Sequence, residues 1–257
     1  MTETLNIKNL SAGYPGKKIF EHFNVADIEG GSIVALVGPN AAGKSTLLKS
    51  IASLIHSQGE INLGGQDLIH LSLEKRSQIV GYMPQHQRTD VELTVLEALI
   101  TALKVSPLDH NDNSAQTRAK AFDLLEQMDL IGIALEPLSS LSGGQRQMAS
   151  LAQAIVRNPK VLLLDEPTSA LDLNHQITVM KMIKQYASKG NIVIMVLHDL
   201  NLAARWADIL VILSNAKIYS SGKAFAVITP TMLKEVYEVD ARVENCSNGY
   251  LQIMVDA

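Results

Sequence analysis

Hydrophobic positions recur along this chain at two periods and, in places, without interruption. Residues 5–10 alternate apolar with polar side chains, which predicts a strand with one buried face. Continuous apolar runs at residues 33–37, 161–164 and 192–197 predict short strands buried on both sides. Residues 59–63 and 79–83 also read as strands. Residues 209–213 and 217–219 read as antiparallel edge strands around Ser214 and Asn215. Helical spacing begins after Ser45 and extends to residue 55. It resumes behind Thr94, an expected N-cap, with Val95, Leu99 and Leu103 four residues apart. Ala121, Leu124, Leu125 and Met128 form a further apolar helical face, beyond a polar stretch at 106–117 that reads as a loop. Helices are also expected at 146–156, at Val179, Met182, Ile183 and Tyr186, and at 231–237, with a weak strand at 250–255. Strand patterns are missing from 86 to about 140, so this stretch predicts a helical insertion in a sheet domain.

The first chemistry-bearing motif sits between the strand at 33–37 and the helix that follows. Gly38, Pro39, Asn40, Ala41, Ala42, Gly43, Lys44 and Ser45 fit G-x-x-x-x-G-K-[ST], with Thr46 behind them. Glycines let successive N–H groups turn inward on a phosphate, and the helix start adds its dipole. Lys44 can reach β- and γ-phosphates, and the Ser45 hydroxyl can ligate Mg²⁺.

Other polar residues fall at the ends of predicted strands. Asp165 and Glu166 close the run at 161–164, and His198 with Asp199 closes that at 192–197. The C-terminal ends of strands are where α/β sheets bind ligands. Each residue alone has a plainer explanation: solvated acids, or a structural histidine. Gln85 follows the strand at 79–83, where a polar residue is commonly a solvated turn. Ser142, Gly143, Gly144 and Gln145 precede a helix, either as a second anion site or as a simple cap. Tyr14, in a Gly/Pro turn, is either a stacking surface for a purine or an ordinary loop tyrosine.

With 257 residues, 47% of them hydrophobic and 19% charged, the chain can bury a substantial core and is not disordered. A net charge of −4 gives no bulk reason to expect nucleic acid as a partner. The lone Cys246 excludes an intrachain disulfide and suits a reducing compartment. No apolar run approaches the ~20 residues of a membrane-spanning helix, and the polar start suggests no secretion signal, so a cytosolic setting is expected.

Taken together the motifs resemble the nucleotide-binding subunits of ABC transporters over essentially the whole chain. Residues 38–45 look like Walker A, with Ala41 where many relatives have glycine and therefore expected at negative φ or under mild strain, and Leu141 to Gln145 look like the family signature. Asp165 and Glu166 look like the end of Walker B and the catalytic glutamate. Gln85 matches the Q-loop, residues 169–172 with Asp172 the D-loop, His198 the switch histidine and Tyr14 the adenine-stacking aromatic. The resemblance implies an α/β P-loop NTPase cassette, with a mixed sheet core, an N-terminal antiparallel β-subdomain and a helical insertion. It implies a core at 1–85 and 159–222, a helical subdomain at 86–158 and an extension at 223–257. ATP and Mg²⁺ are the implied cofactors, with Mg²⁺ at Ser45, Gln85 and Asp165.

Hydrolysis would rest on Glu166, His198, Lys44 and Gln85. A second copy would lend Ser142 and Gly144 to complete each site. Permease subunits would dock on the face around 86–103, with a substrate-binding protein as an indirect partner. The stretches at 171–176 and 198–208, and the tail at 229–237, resemble the importers of ferric siderophores, haem and cobalamin. Ferric siderophore is the favoured cargo, ahead of cobalamin, haem or an oxyanion, and the expected place is the cytoplasmic face of the cell membrane. A soluble ABC ATPase acting on DNA or ribosomes is the rival from another class, and a degenerate scaffold is disfavoured because Lys44, Asp165, Glu166 and His198 are all present.

Overall fold

The computed structural model describes residues 3–85, 92–104 and 114–256. Strands β1 (Thr4–Tyr14) and β2 (Lys17–Glu29) form a long hairpin, and β3 (Ile33–Val37) leads into the glycine-rich loop and α1 (Lys44–Ile51). Strands β4 (Ser57–Leu63) and β5 (Gln66–Asp67), helix α2 (Leu73–Ile79) and strand β6 (Val80–Met83) follow. Helices α3 (Val95–Lys104), α4 (Ser114–Gln127) and α5 (Gly143–Ile155) come before β7 (Val161–Asp165). Then come α6 (Leu173–Ser188), β8 (Ile192–Val196), α7 (Leu200–Trp206), β9 (Ile209–Ser214) and β10 (Lys217–Gly222). The chain closes with α8 (Ala224–Val227), α9 (Pro230–Tyr237) and the hairpin β11 (Ala241–Asn245) and β12 (Leu251–Val255).

The main sheet has the order β10-β9-β3-β8-β7-β6, parallel except for β10. Its central strands are apolar throughout because both faces are covered. Val34 and Leu36, with Val161, Leu163 and Ile194, pack toward α1 and the antiparallel sheet β2-β1-β4-β5. Ala35 and Val37, with Leu162, Leu164 and Met195, pack toward the remaining helices. A side chain such as Leu163, fully buried, contributes about 2 kcal/mol through that burial. This α/β cassette, with its mixed main sheet and N-terminal antiparallel sheet, is the architecture the motifs implied.

Several local expectations change. Residues 209–213 do not form an edge: β9 lies between β10 and β3, which suits a run buried on both faces. Helix α1 stops at Ile51, where the buried Arg76 donates to Ser50 O and Ile51 O and satisfies its last carbonyls. Residues 114–117 belong to α4, while the rest of the expected loop, 106–113, lies outside the described residues. Helix α5 starts at Gly143, three residues before the expected 146, because Ser142 caps it directly. Thr94 caps α3 as expected, and Glu97 answers it from the third helical position. Hairpin β11–β12 is held to α7 by Asn201, whose Oδ1 accepts from Ile253 N at 2.8 Å. Among the described residues no helix is long and apolar enough to cross a membrane.

Candidate functional site

The parallel strands β3, β6, β7 and β8 end on the same side of the sheet, and the phosphate-type loop, Gln85, Glu166 and His198 follow those ends. After Val37 the chain turns at Gly38 (φ 145), where a Cβ would lie 2.1 Å from the Leu213 carbonyl oxygen. It enters α1 through Gly43 (φ 101), where a Cβ would meet the Phe20 ring at 2.7 Å. Only glycine fits either position. Between them Pro39 O accepts from Ala42 N, Asn40 and Ala41 face outward and Ala42 is buried, as is Thr46 on α1. Ala41 has φ 63, so of the two expectations the negative φ fails and the strain holds, at a cost of about 1 kcal/mol.

Lys44 is 6% exposed, and its Nζ donates to Gly38 O at 2.7 Å and Pro39 O at 2.8 Å. The loop thus wraps its own cation. Desolvation holds the ammonium below the usual lysine range, while Glu166 and Asp165 pull it back up. Ser45 Oγ donates to Asp165 Oδ1 at 2.9 Å, and Tyr82 OH reaches Asp165 Oδ2 at 3.4 Å. Burial raises the Asp165 carboxyl, the Ser45 hydrogen bond opposes this, and Glu166 adds to the rise. The same burial, with Asp165 alongside, pushes the Tyr82 phenol up.

Glu166 is where the separate strand ends converge. Its Oε1 accepts from Gln85 Nε2 at 2.7 Å and lies 2.6 Å from His198 Nε2. Its backbone sits at φ 57, and its carbonyl accepts from Gln147 Nε2 at 2.7 Å and Ser169 Oγ at 3.2 Å. Gln85 is therefore tied to the glutamate, not to the Ser45–Asp165 pair where the metal role would place it. A carboxylate held between an amide and an imidazole, next to an ammonium in a phosphate-type loop, can accept a proton from water attacking a bound phosphoryl group.

Not all of the predicted residues join this cluster. Ser142 and Gln145 form a reciprocal capping box on α5: Ser142 Oγ accepts from Gln145 N at 3.3 Å, and Gln145 Oε1 from Ser142 N at 3.0 Å. Gly143 and Gly144 form the first helical positions behind it. Asp172 caps α6, accepting from His175 N at 2.9 Å with His175 Nδ1 at 2.8 Å, and these contacts hold its carboxyl below the usual range. Tyr14 is half exposed at the end of β1, its ring centroid 6.0 Å from Lys49 Nζ on α1, beside a cavity of about 650 Å³ that Lys18 and His56 also line. Sequence reasoning did not single out Tyr82 or Gln147. Tyr82 sits inside a predicted strand, and Gln147 is one of two polar residues, with Ser150, on the buried face of its helix and has no spacing that marks it.

Residues 24–169 match the family model described as ABC transporter. The hemin import ATP-binding protein HmuV of Ruegeria sp. (strain TM1040) is 34% identical, covering 93% of each chain. The iron(3+)-hydroxamate import ATP-binding protein FhuC of Bacillus subtilis (strain 168) is 32% identical, over 93% of this chain and 90% of that one. Among solved structures, an inward-facing ABC transporter of metal-chelate type matches at TM-score 0.82 and 25% identity, covering 99% of this chain and 98% of that one. The dimeric cassette MJ0796, from a bacterial ABC transporter, matches at TM-score 0.74 and 26% identity, over 86% and 98%. With the phosphate loop, the paired carboxylates and the histidine in place, the chain belongs to the ABC transporter family, as one of its ATP-hydrolysing cassettes.

Proposed function

We propose that this chain powers a bacterial ABC importer for an iron chelate, with ferric siderophore as the favoured cargo, and works as an ATP-sandwich dimer. The observation that carries the chemistry is the convergence of Gln85 and His198 on Glu166 beside the Ser45–Asp165 pair. Lys44 and the N–H groups around Gly43 hold the β- and γ-phosphates, and Tyr14 offers a face to the base. Glu166 orients a water molecule and takes its proton as the water oxygen bonds to the γ-phosphorus. The bond to the leaving ADP oxygen breaks in the same displacement, giving ADP and phosphate. His198 steadies the γ-phosphate and Glu166.

The residues fit Mg²⁺. A serine hydroxyl and one buried carboxylate match an ion that keeps several waters and takes its remaining oxygens from phosphate. When bound it neutralises charge on the β- and γ-oxygens. Ser45 and Asp165 would hold it, and Gln85 would have to leave Glu166 to help.

The same reading divides the chain into a core at 1–85 and 159–222, a helical subdomain at 86–158 and an extension at 223–257. Ser142, Gly143, Gly144 and Gln145 face the partner's nucleotide, with Asp172 near the seam. A groove of about 540 Å³ between α2, α3 and α5 suits a permease. Leu54 and Leu73, exposed by 56% and 67%, lie along it with Ala102 and Gln153. Part of the face first expected to dock the permease, residues 86–91, lies outside the described residues. The cassette would thus sit on the cytoplasmic membrane surface, held there by its permease.

A strain lacking this chain, grown with ferric siderophore, hemin or cobalamin as the required nutrient, tests the cargo. Loss of growth on the siderophore alone is the expected result. Loss on hemin or cobalamin alone reassigns the cargo, and no loss on any of them overturns the iron-chelate reading.

A further inference from the structure

The chemistry above leaves Gln147 without a role, yet it makes the long-range tie to the backbone of the general base. The residue is 8% exposed, and its Nε2 donates to Glu166 O at 2.7 Å. The other donors to that carbonyl, Ser169 Oγ at 3.2 Å and Ser169 N at 3.4 Å, lie three residues along the same turn and move with it. Gln147 comes from a different element, α5, whose N-terminus carries Ser142 and Gly144. Glu166 itself sits at φ 57 immediately before Pro167. A non-glycine residue keeps such a conformation only where its surroundings hold it. A cavity of about 210 Å³ bounded by Gln85, Gly143, Gln147 and Ser169 leaves room for α5 to shift against this turn.

We infer that Gln147 is a positioning residue that couples the two nucleotides of the dimer. Seating the start of α5 on the partner's triphosphate moves or fixes Gln147, which sets the backbone, and with it the carboxylate, of Glu166 in its own chain. Each site then becomes competent only when the other is filled. This rests on the sandwich reading given above.

The test is steady-state ATP hydrolysis by the purified full chain against ATP concentration, comparing wild type with Gln147→Met. Coupling predicts kcat down about tenfold, with KM for ATP changed by less than about twofold. It also predicts a Hill coefficient falling from about 2 toward 1. Wild-type kcat and cooperativity in the variant would overturn the inference. So would a kcat loss that comes with failure of the Glu166→Gln, Gln147→Met double variant to form an ATP-held dimer, because that marks a merely structural side chain.

Should Gln147→Met not fold, a doubly tagged heterodimer of wild type with Ser142→Arg, in which Gln147 is intact, gives the answer. Independent sites retain about half the activity, which contradicts coupling, whereas coupled sites fall below about a quarter. Absence of any ATP-held dimer in Glu166→Gln alone sinks the sandwich, and the inference with it. A dimer that forms and hydrolyses with independent sites sinks the inference only.

Discussion

Helices α1 and α5 both begin at glycines where backbone N–H groups can meet an anion, but they are prepared in opposite ways. No side chain caps α1: Gly43 enters it in a left-handed turn, and an ammonium, a hydroxyl and two carboxylates stand around it. At the start of α5 the N–H groups of Ser142 and Gln145 are satisfied by each other's side chains, and no charged side chain takes part in that box. The difference assigns unequal tasks. On the function proposed above, the first helix start holds the triphosphate, while the second closes over one held by the partner. That asymmetry is why two copies of one chain would be needed for two complete sites.

Removing the base should have the largest effect. Glu166→Gln is expected to lower hydrolysis about 10³-fold while nucleotide still binds, as followed by phosphate release and fluorescent-nucleotide binding. Near-normal turnover would mean that another group takes the proton. Lys44→Ala removes a buried cation from the α1 side of the comparison. It should weaken ATP binding by about 100-fold, measured by calorimetry.

On the α5 side, Ser142→Ala should leave ATP binding by the isolated chain unchanged, lower hydrolysis, and cost about 1 kcal/mol through the lost cap, read from thermal unfolding. Weakened binding by the monomer would erase the distinction between the two helix starts.

Asp165→Asn probes the strain at the cradle. Burial raises the Asp165 pKa in the folded state, so folding favours its protonated form, and its ionisation costs stability as pH rises above the unfolded carboxyl value. The variant should therefore melt higher than wild type at pH 7 without nucleotide, lose that advantage in acid, and show no Mg²⁺-dependent hydrolysis. The smallest effect is expected from Ala41→Gly, which relieves a left-handed alanine and should raise the melting temperature by about 3 °C with activity kept.

The two helix starts also differ in how far they could be read beforehand. The cradle is contiguous, and its glycines, lysine and serine are required by local backbone geometry, so their spacing is visible in the chain. The cluster around Glu166 joins Gln85, Gln147 and His198 from three separate elements, and pattern alone could not show that they meet. Strand β2 escaped notice because its register shifts against β1 break the two-residue alternation. Helix α2 escaped because the residue it buries is Arg76, so it shows no apolar face. The C-terminal hairpin was only half anticipated. Its strand β11 is largely exposed and carries no hydrophobic signal, and Asn201 on α7 anchors β12 from far along the chain.

The central claim is that hydrolysis needs two copies, and its most direct test is specific ATPase activity measured across a dilution series of the purified chain at saturating ATP and Mg²⁺. The account predicts activity per chain that rises with protein concentration to a plateau, in step with an ATP-dependent dimer seen by sedimentation. Constant activity per chain, down to dilutions where only monomer sediments, would contradict it.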